Sequence, residues 1–166
     1  TTTISNNLIG STSTSNSINA SSTSSSNSQN VYGIFNAGLG NITLTSNTIA
    51  NLSNATTDVS GSVAGIYFNG STGTNEVSKN FIHSLAATGG STTAVLYGIQ
   101  VTAGVTTYSN NIISLGGITS TTIYGIYEEG ASDESYIYFN TVYIGGVPTS
   151  GSENSYALFN NNDGNV

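Results

Sequence analysis

The sequence predicts an all-β fold, a parallel β-solenoid (β-helix) of about five rungs with an asparagine ladder and variable loops at one corner. Three observations predict it. A short pattern with a small central residue recurs: VYGIFN at 31–36, VAGIYFN at 63–69, LYGIQV at 96–101, IYGIYE at 123–128 and SYALFN at 155–160. Its small residues, Gly33, Gly65, Gly98, Gly125 and Ala157, are spaced by 32, 33, 27 and 32 residues. A second pattern falls between these: ISNNLIG at 4–10, TSNTIANL at 45–52, SKNFIHSL at 78–85, YSNNIISL at 108–115 and YFNTVYIG at 138–145.

Each unit of about 30 residues holds two or three short runs rich in Ile, Val, Tyr, Phe and Thr, the residues that favour strands. Gly, Asn and Ser separate the runs and mark turns. No helix-period pattern competes. Units this short cannot bury a face alone, so they must stack. In a parallel coil, equivalent residues then lie above one another about 4.8 Å apart.

In the YGI runs, Ile34, Ile66, Ile99, Ile126 and Leu158 are expected to form one inward column. In the second pattern an Asn precedes an aliphatic residue by two positions. The ladder asparagines are read as Asn6, Asn47, Asn80, Asn110 and Asn140, and the second inward column as Leu8, Ile49, Ile82, Ile112 and Val142. Asn suits a sharp corner because it tolerates φ > 0. Stacked in register, each amide can donate to the carbonyl of the next, so that buried amides are satisfied. Leu52, Leu85 and Leu115 are assigned to a third column.

The spacers NATTDVSGS, AATGGSTT, GGITSTT and GVPTSGSENS read as loops leaving the coil. The longest excursion is the Ser/Thr-rich segment 11–30, which has almost no apolar content and reads as solvated. Residues 1–166 otherwise form one solenoid domain.

Taken together, SKNFIHSL, GVTTYSNNIISLGG, TIYGIYEEGAS and YFNTVYIGG resemble the repeats of very large secreted right-handed parallel β-helix proteins of Bacteroidota-type bacteria. The resemblance spans roughly residues 31–160. It implies an extracellular or cell-surface location and a structural or adhesive role. The handedness too is implied only by the resemblance.

Composition narrows the function classes. Only 5% of residues are charged, Lys79 is the one Lys or Arg, and net charge is −7. Nothing here can neutralise a row of phosphates, so neither nucleic acid nor an anionic bilayer is an expected partner. No apolar run reaches the roughly 20 residues of a membrane span. Solubility rests on 27 Ser, 24 Thr and 22 Asn, a surface common in secreted proteins. With no Cys, the fold has neither disulfides nor thiolate metal sites.

No catalytic constellation is legible, and neither an enzyme activity nor a cofactor or metal is expected. Many β-helices cleave acidic polysaccharides, but those lyases need a Lys or Arg base and calcium-holding carboxylates, and this chain has no Arg. The acids cluster only in EEGASDE at 128–134, which matches no EF-hand spacing and reads as a solvated loop. Lys79 and His83 read as a solvated cation and a surface turn residue. An ice-binding Thr-x-Thr face begins at TTT and TLT and is broken by EVS and IYF.

If the strands alternate regularly, the residue after each YGI Ile points outward. That places Phe35, Tyr67, Gln100, Tyr127 and Phe159 in one strip, with Gly33, Gly65, Gly98 and Gly125 beside it leaving the ring faces bare. Phe35, Tyr67, Tyr127 and Phe159 are therefore candidates for contact with a sugar or a neighbouring fibre. Five N-glycosylation sequons, at Asn19, Asn41, Asn51, Asn54 and Asn69, are no more than composition supplies, and the Ser/Thr-rich segment suits O-glycosylation.

One further pattern concerns the two termini. From Tyr124 to Asn140 is 16 residues, and from Tyr156 through Val166 to Asn6 of a following copy is also 16. The expected partner is therefore the chain itself, end to end, in covalent tandem or not. The expected function is a non-catalytic module of an extracellular fibre or surface adhesin; the alternative is a carbohydrate-binding module using the aromatic strip.

Overall fold

The computed structural model describes residues 1–24, 28–57, 61–88, 94–117, 121–129, 135–147 and 154–161. Its strands follow the repeat. The first turn carries β1 (Thr2–Ser5), β2 (Leu8–Gly10) and β3 (Ile18–Ala20). The second carries β4 (Val31–Asn36), β5 (Ile42–Thr45), β6 (Thr48–Ala50) and β7 (Leu52–Asn54). The third carries β8 (Ser62–Ser78), β9 (Phe81–His83) and β10 (Ala86–Ala87), and the fourth β11 (Val95–Ser109) and β12 (Ile112–Gly117). The fifth carries β13 (Thr122–Glu128), β14 (Ser135–Tyr138) and β15 (Thr141–Gly146), and β16 (Ser155–Asn160) begins another.

All pairings between these strands are parallel and join successive turns. The chain is thus a parallel β-solenoid of about four turns, counted from β4 to β16. Four strips of strands run along it. The YGI strip is β4, the first half of β8, the first half of β11, β13 and β16. The second strip is β1, β5, the later parts of β8 and β11, and β14. The third is β2, β6, β9, β12 and β15. A short fourth strip joins β3, β7 and β10. Within the 11–30 excursion, therefore, Ile18–Ala20 adds a strand to the coil.

The core is a set of like-on-like columns. Ile34, Ile66, Ile99 and Ile126 stack in register and are buried. Leu158 continues that column at the end of the strip and is 51% exposed. The column after the Asn corner is Ile9, Ile49, Ile82, Ile113 and Val142. The expected members Leu8 and Ile112 point outward, at 58% and 50% exposure. Each fully buried aliphatic side chain stabilises the coil by about 1.5–3 kcal/mol, so a few turns supply a core without a separate layer. Leu52, Leu85 and Leu115 are all buried, but only the first two follow a left-handed corner, at Asn51 and Ser84. Leu115 instead pairs with Ile144 within the third strip.

The YGI glycines do not face solvent. A Cβ on Gly98 would stand 2.5 Å from Ile113 Cγ2 and 2.5 Å from the Gly125 carbonyl oxygen. Gly33, Gly65 and Gly125 meet Ile49, Ile82 and Val142 in the same way. The branched column of the third strip fills the space a side chain would need, and only glycine admits that approach. Strand alternation therefore slips by one residue at each glycine. Tyr32 and Phe35 emerge on the same outer face, as do Tyr97 and Gln100, and Tyr124 and Tyr127.

Candidate functional site: an amide ladder, an aromatic ladder and an exposed end face

The amide ladder runs through Asn7, Asn47, Asn80, Asn111 and Asn140. Each Nδ2 donates to the next Oδ1, at 2.9, 3.0, 3.0 and 2.9 Å. Each backbone N–H donates to that same Oδ1, at 3.1, 3.0, 3.0 and 3.0 Å. The second Nδ2 proton goes back to the previous turn: Asn47 to the Ile4 carbonyl, Asn80 to Leu44, Asn111 to Val77 and Asn140 to Tyr108, all at 2.8–3.0 Å. Asn47, Asn80 and Asn111 are at most 1% exposed, so these bonds satisfy amides that water does not reach.

Two of the expected ladder residues, Asn6 and Asn110, lie outside it. They occupy the preceding position, where the chain turns with φ of 57° and 56°. Ser46, Lys79 and Phe139 hold the same place at 56°, 56° and 58°. The left-handed corner and the ladder are thus adjacent residues, not one residue. The tolerance of Asn for φ > 0 explains Asn6 and Asn110 and has no bearing on Asn7 and Asn111.

The outward aromatics form two columns. One is Tyr32, Tyr97, Tyr124 and Tyr156, interrupted at Ala64. The other is Phe35, Tyr67, Tyr127 and Phe159, interrupted at Gln100. Tyr97, Tyr124 and Tyr156 stack at 5.3 and 5.2 Å with interplanar angles of 11° and 9°. Tyr127 and Phe159 stack at 5.3 Å and 6°. Across the columns the rings meet edge to face, as Tyr124 and Tyr127 do at 4.9 Å and 70°. Near the first turns Tyr67 leans over the gap at Ala64 and stacks on Tyr32 at 5.2 Å. The rings beside Phe35, Tyr67, Tyr127 and Phe159 are therefore tyrosines, not bare backbone, and ring faces are turned largely on other rings. Burial raises the Tyr32 and Tyr124 phenols above their usual range and takes Tyr97 up to about 12, with the neighbouring Tyr124 and Glu129 adding to it. Tyr127 is raised by burial and by Glu129.

The end bearing β14, β15 and β16 is exposed. A cleft of about 370 Å³ opens there between the strips, floored by Ile126, Ile137 and Val142 and rimmed by Phe139, Ala157 and Leu158. Phe139 is 81% exposed. The cleft arises because β16 stands one turn ahead of β14. At the other end β1 and β2 stand one turn ahead of β4. Among the described residues, no strand pairs with the outer edge of β1, β2, β4, β14, β15 or β16.

The remaining candidates are scattered. Lys79 is exposed at its left-handed corner. His83 lies half-buried with its ring 4.5 Å from Phe81 and Nδ1 2.9 Å from Ser84 Oγ, and burial lowers its pKa. Glu128 is buried, not solvated, and its carboxylate accepts from Ser135 Oγ at 3.2 Å. Glu129 is exposed, and the remaining acids of the cluster, within 130–134, lie outside the described residues, as do Asp58, Glu153 and Asp163. Among the described residues no three His, Asp or Glu side chains gather as metal ligands, and no helix is long and apolar enough to cross a membrane. The outer Thr column of the second strip is broken where Thr43 pairs with Glu76 and Thr107 with Tyr136.

The fold and its ladder define the class: a parallel β-solenoid with a buried asparagine ladder. Compared with models of known families, with curated proteins and with solved structures, the chain matches none.

Proposed function

We propose that this chain is a non-catalytic structural module of an extracellular fibre or surface adhesin, stacking head to tail through the ends of its coil. The observation that carries the reading is the end face. Apolar core residues line an exposed cleft there, beside strand edges with no partner among the described residues. Unpaired edges and stacked apolar side chains are a template for another strand layer, and head-to-tail contacts that do not close give filaments. The charge-poor Ser/Thr/Asn-rich composition and the resemblance to secreted β-helix repeats support an extracellular or cell-surface setting.

Sedimentation velocity and negative-stain electron microscopy on the purified chain test this. Growth into unbranched filaments with rising concentration is expected; a monomer that persists at millimolar concentration overturns it. Carbohydrate binding through the aromatic face is the weaker reading, since most of the rings stack on one another and only Phe35 among them, at 53%, is largely exposed. Monomers retained on a neutral polysaccharide column would favour it instead.

A further inference from the structure

We infer that the two ends of the coil are shaped for each other in one register, in which the amide and aromatic ladders of one copy continue into the next. This rests on the stacking reading above and adds the seat of each strand. The ends are complementary steps. At one end β16 projects past β14 and β15; at the other, β1 and β2 project past β4. A second copy shifted along the axis fills both steps at once. Its β1 pairs with β14, its β2 with β15 and its β4 with β16.

Four features converge on this register. First, the amide ladder has a direction. Asn7 Oδ1 accepts no hydrogen bond from the described residues, while the Asn140 backbone N–H has no acceptor among them. At every step in between, those groups are bonded to each other. Asn7 of a second copy therefore supplies the acceptor that Asn140 lacks, and the reverse orientation would set donor against donor. Second, the register carried forward from the turns beneath places Ile9 on Val142 and Ile34 on Leu158. That covers the 370 Å³ cleft with the next members of its own columns. Third, it places Tyr32 on Tyr156 and Phe35 on Phe159, so that both ring columns run through the joint. Fourth, both ring columns end on rings at both ends, Tyr156 and Phe159 stacked on the turn inside them at one and Tyr32 and Phe35 against Tyr67 of the turn inside at the other, so the joint sets ring on ring.

Ala157 is the one departure. Its methyl group stands where the turns beneath have glycine, against the position the incoming Ile9 must take. The joint is therefore looser than an internal turn, and Ala157→Gly should tighten it.

The chain has no Cys, so paired thiols report the register directly. Outward residues on paired strands one turn apart lie within disulfide reach. Thr3 of a second copy falls on Tyr136, two residues short of Tyr138. Under mild oxidation, Thr3→Cys/Tyr136→Cys is expected to form a ladder of covalent oligomers, and Thr3→Cys/Tyr138→Cys at least tenfold fewer. Ala157→Gly should lower the concentration at which the otherwise unaltered chain assembles. Assembly by sedimentation with cross-linking through the 138 pair, or equal cross-linking of both pairs, overturns this register while leaving the stacking reading in place. A chain that is folded by circular dichroism and monomeric by sedimentation overturns both.

Discussion

Removing the Asn80 side chain should be among the most damaging single changes in the molecule. Asn80 takes part in four side-chain hydrogen bonds: it donates to Asn111 Oδ1 at 3.0 Å and to the Leu44 carbonyl at 2.9 Å, and accepts from Asn47 N and Nδ2, both at 3.0 Å. In Asn80→Ala, Asn111 Oδ1 keeps the Asn80 backbone N–H and Asn47 Nδ2 keeps the Ile4 carbonyl. The Asn47 backbone N–H and one Asn47 amide proton lose their acceptor, and the Leu44 carbonyl loses a donor. All three lie where exposure is 1% or less. An unsatisfied buried polar group costs about 1–3 kcal/mol, so for three of them the expected loss is about 3 kcal/mol or more. That is a large share of the roughly 5–15 kcal/mol that holds a typical domain together. Asn7→Ala removes only two donor bonds, to Asn47 Oδ1 and the Ser5 carbonyl, from an exposed position where water substitutes, and should cost less than about 1 kcal/mol. Asn110→Gly should likewise be tolerated, because glycine adopts φ > 0 freely, whereas Asn111→Gly should behave like Asn80→Ala. Urea denaturation of dilute protein, followed by circular dichroism, measures all four at unchanged m value. Equal losses for Asn80→Ala and Asn7→Ala, or for the Asn110 and Asn111 variants, would refute the assignment of buried amides to a ladder.

Further outcomes follow from other parts of the coil. Gly98→Ala drives a methyl group to 2.5 Å from Ile113 and from the Gly125 carbonyl, and should lower stability by about 1–3 kcal/mol or more in the same urea assay. Phe139→Asn replaces an exposed ring at φ 58° with a residue suited to that backbone, and should raise the thermal midpoint of the dilute chain, with a gain of about 1 kcal/mol. The Tyr97 phenol is held up to about 12 by burial, above the value of an unfolded tyrosine near 10. Its contribution to stability is complete below pH 10 and is lost as pH rises towards 12; spectrophotometric titration at 295 nm should show Tyr97→Phe removing one late-ionising group.

Much of this architecture is legible in the sequence, because a solenoid repeats its physics every turn. The YGI isoleucines and the parallel stacking follow from spacing alone. The phase of the Asn motif is less secure, for a physical reason. Where a corner reads Ser46-Asn47 or Lys79-Asn80, only one Asn can be the ladder residue; where it reads Asn6-Asn7 or Asn110-Asn111, both neighbours carry an amide. The rule "Asn, then an aliphatic two residues on" fits Leu8 and Ile112 as well as Ile9 and Ile113. Aligning all five corners on the residue before the ladder Asn resolves it, since that position alone turns left-handed. The tyrosine column was hidden by a second rule. Regular alternation puts Tyr32 and Phe35 on opposite faces, and the slip at glycine that brings them together depends on Ile49 filling the space behind Gly33. That contact joins strands 16 residues apart, and no local pattern contains it. Glu128 is a third case: a charged residue beside a Gly/Ser-rich stretch reads as solvated, yet it sits in strand register above Val101 and faces inward.

X-ray fibre diffraction from an aligned, concentrated preparation of the chain tests the central claim most directly. Continuation of the amide ladder across copies predicts a strong meridional reflection near 4.8 Å, modulated by an axial repeat of about 24 Å for five layers per copy. A preparation with no axial order, or with a repeat that does not correspond to a whole number of strand layers, would contradict it.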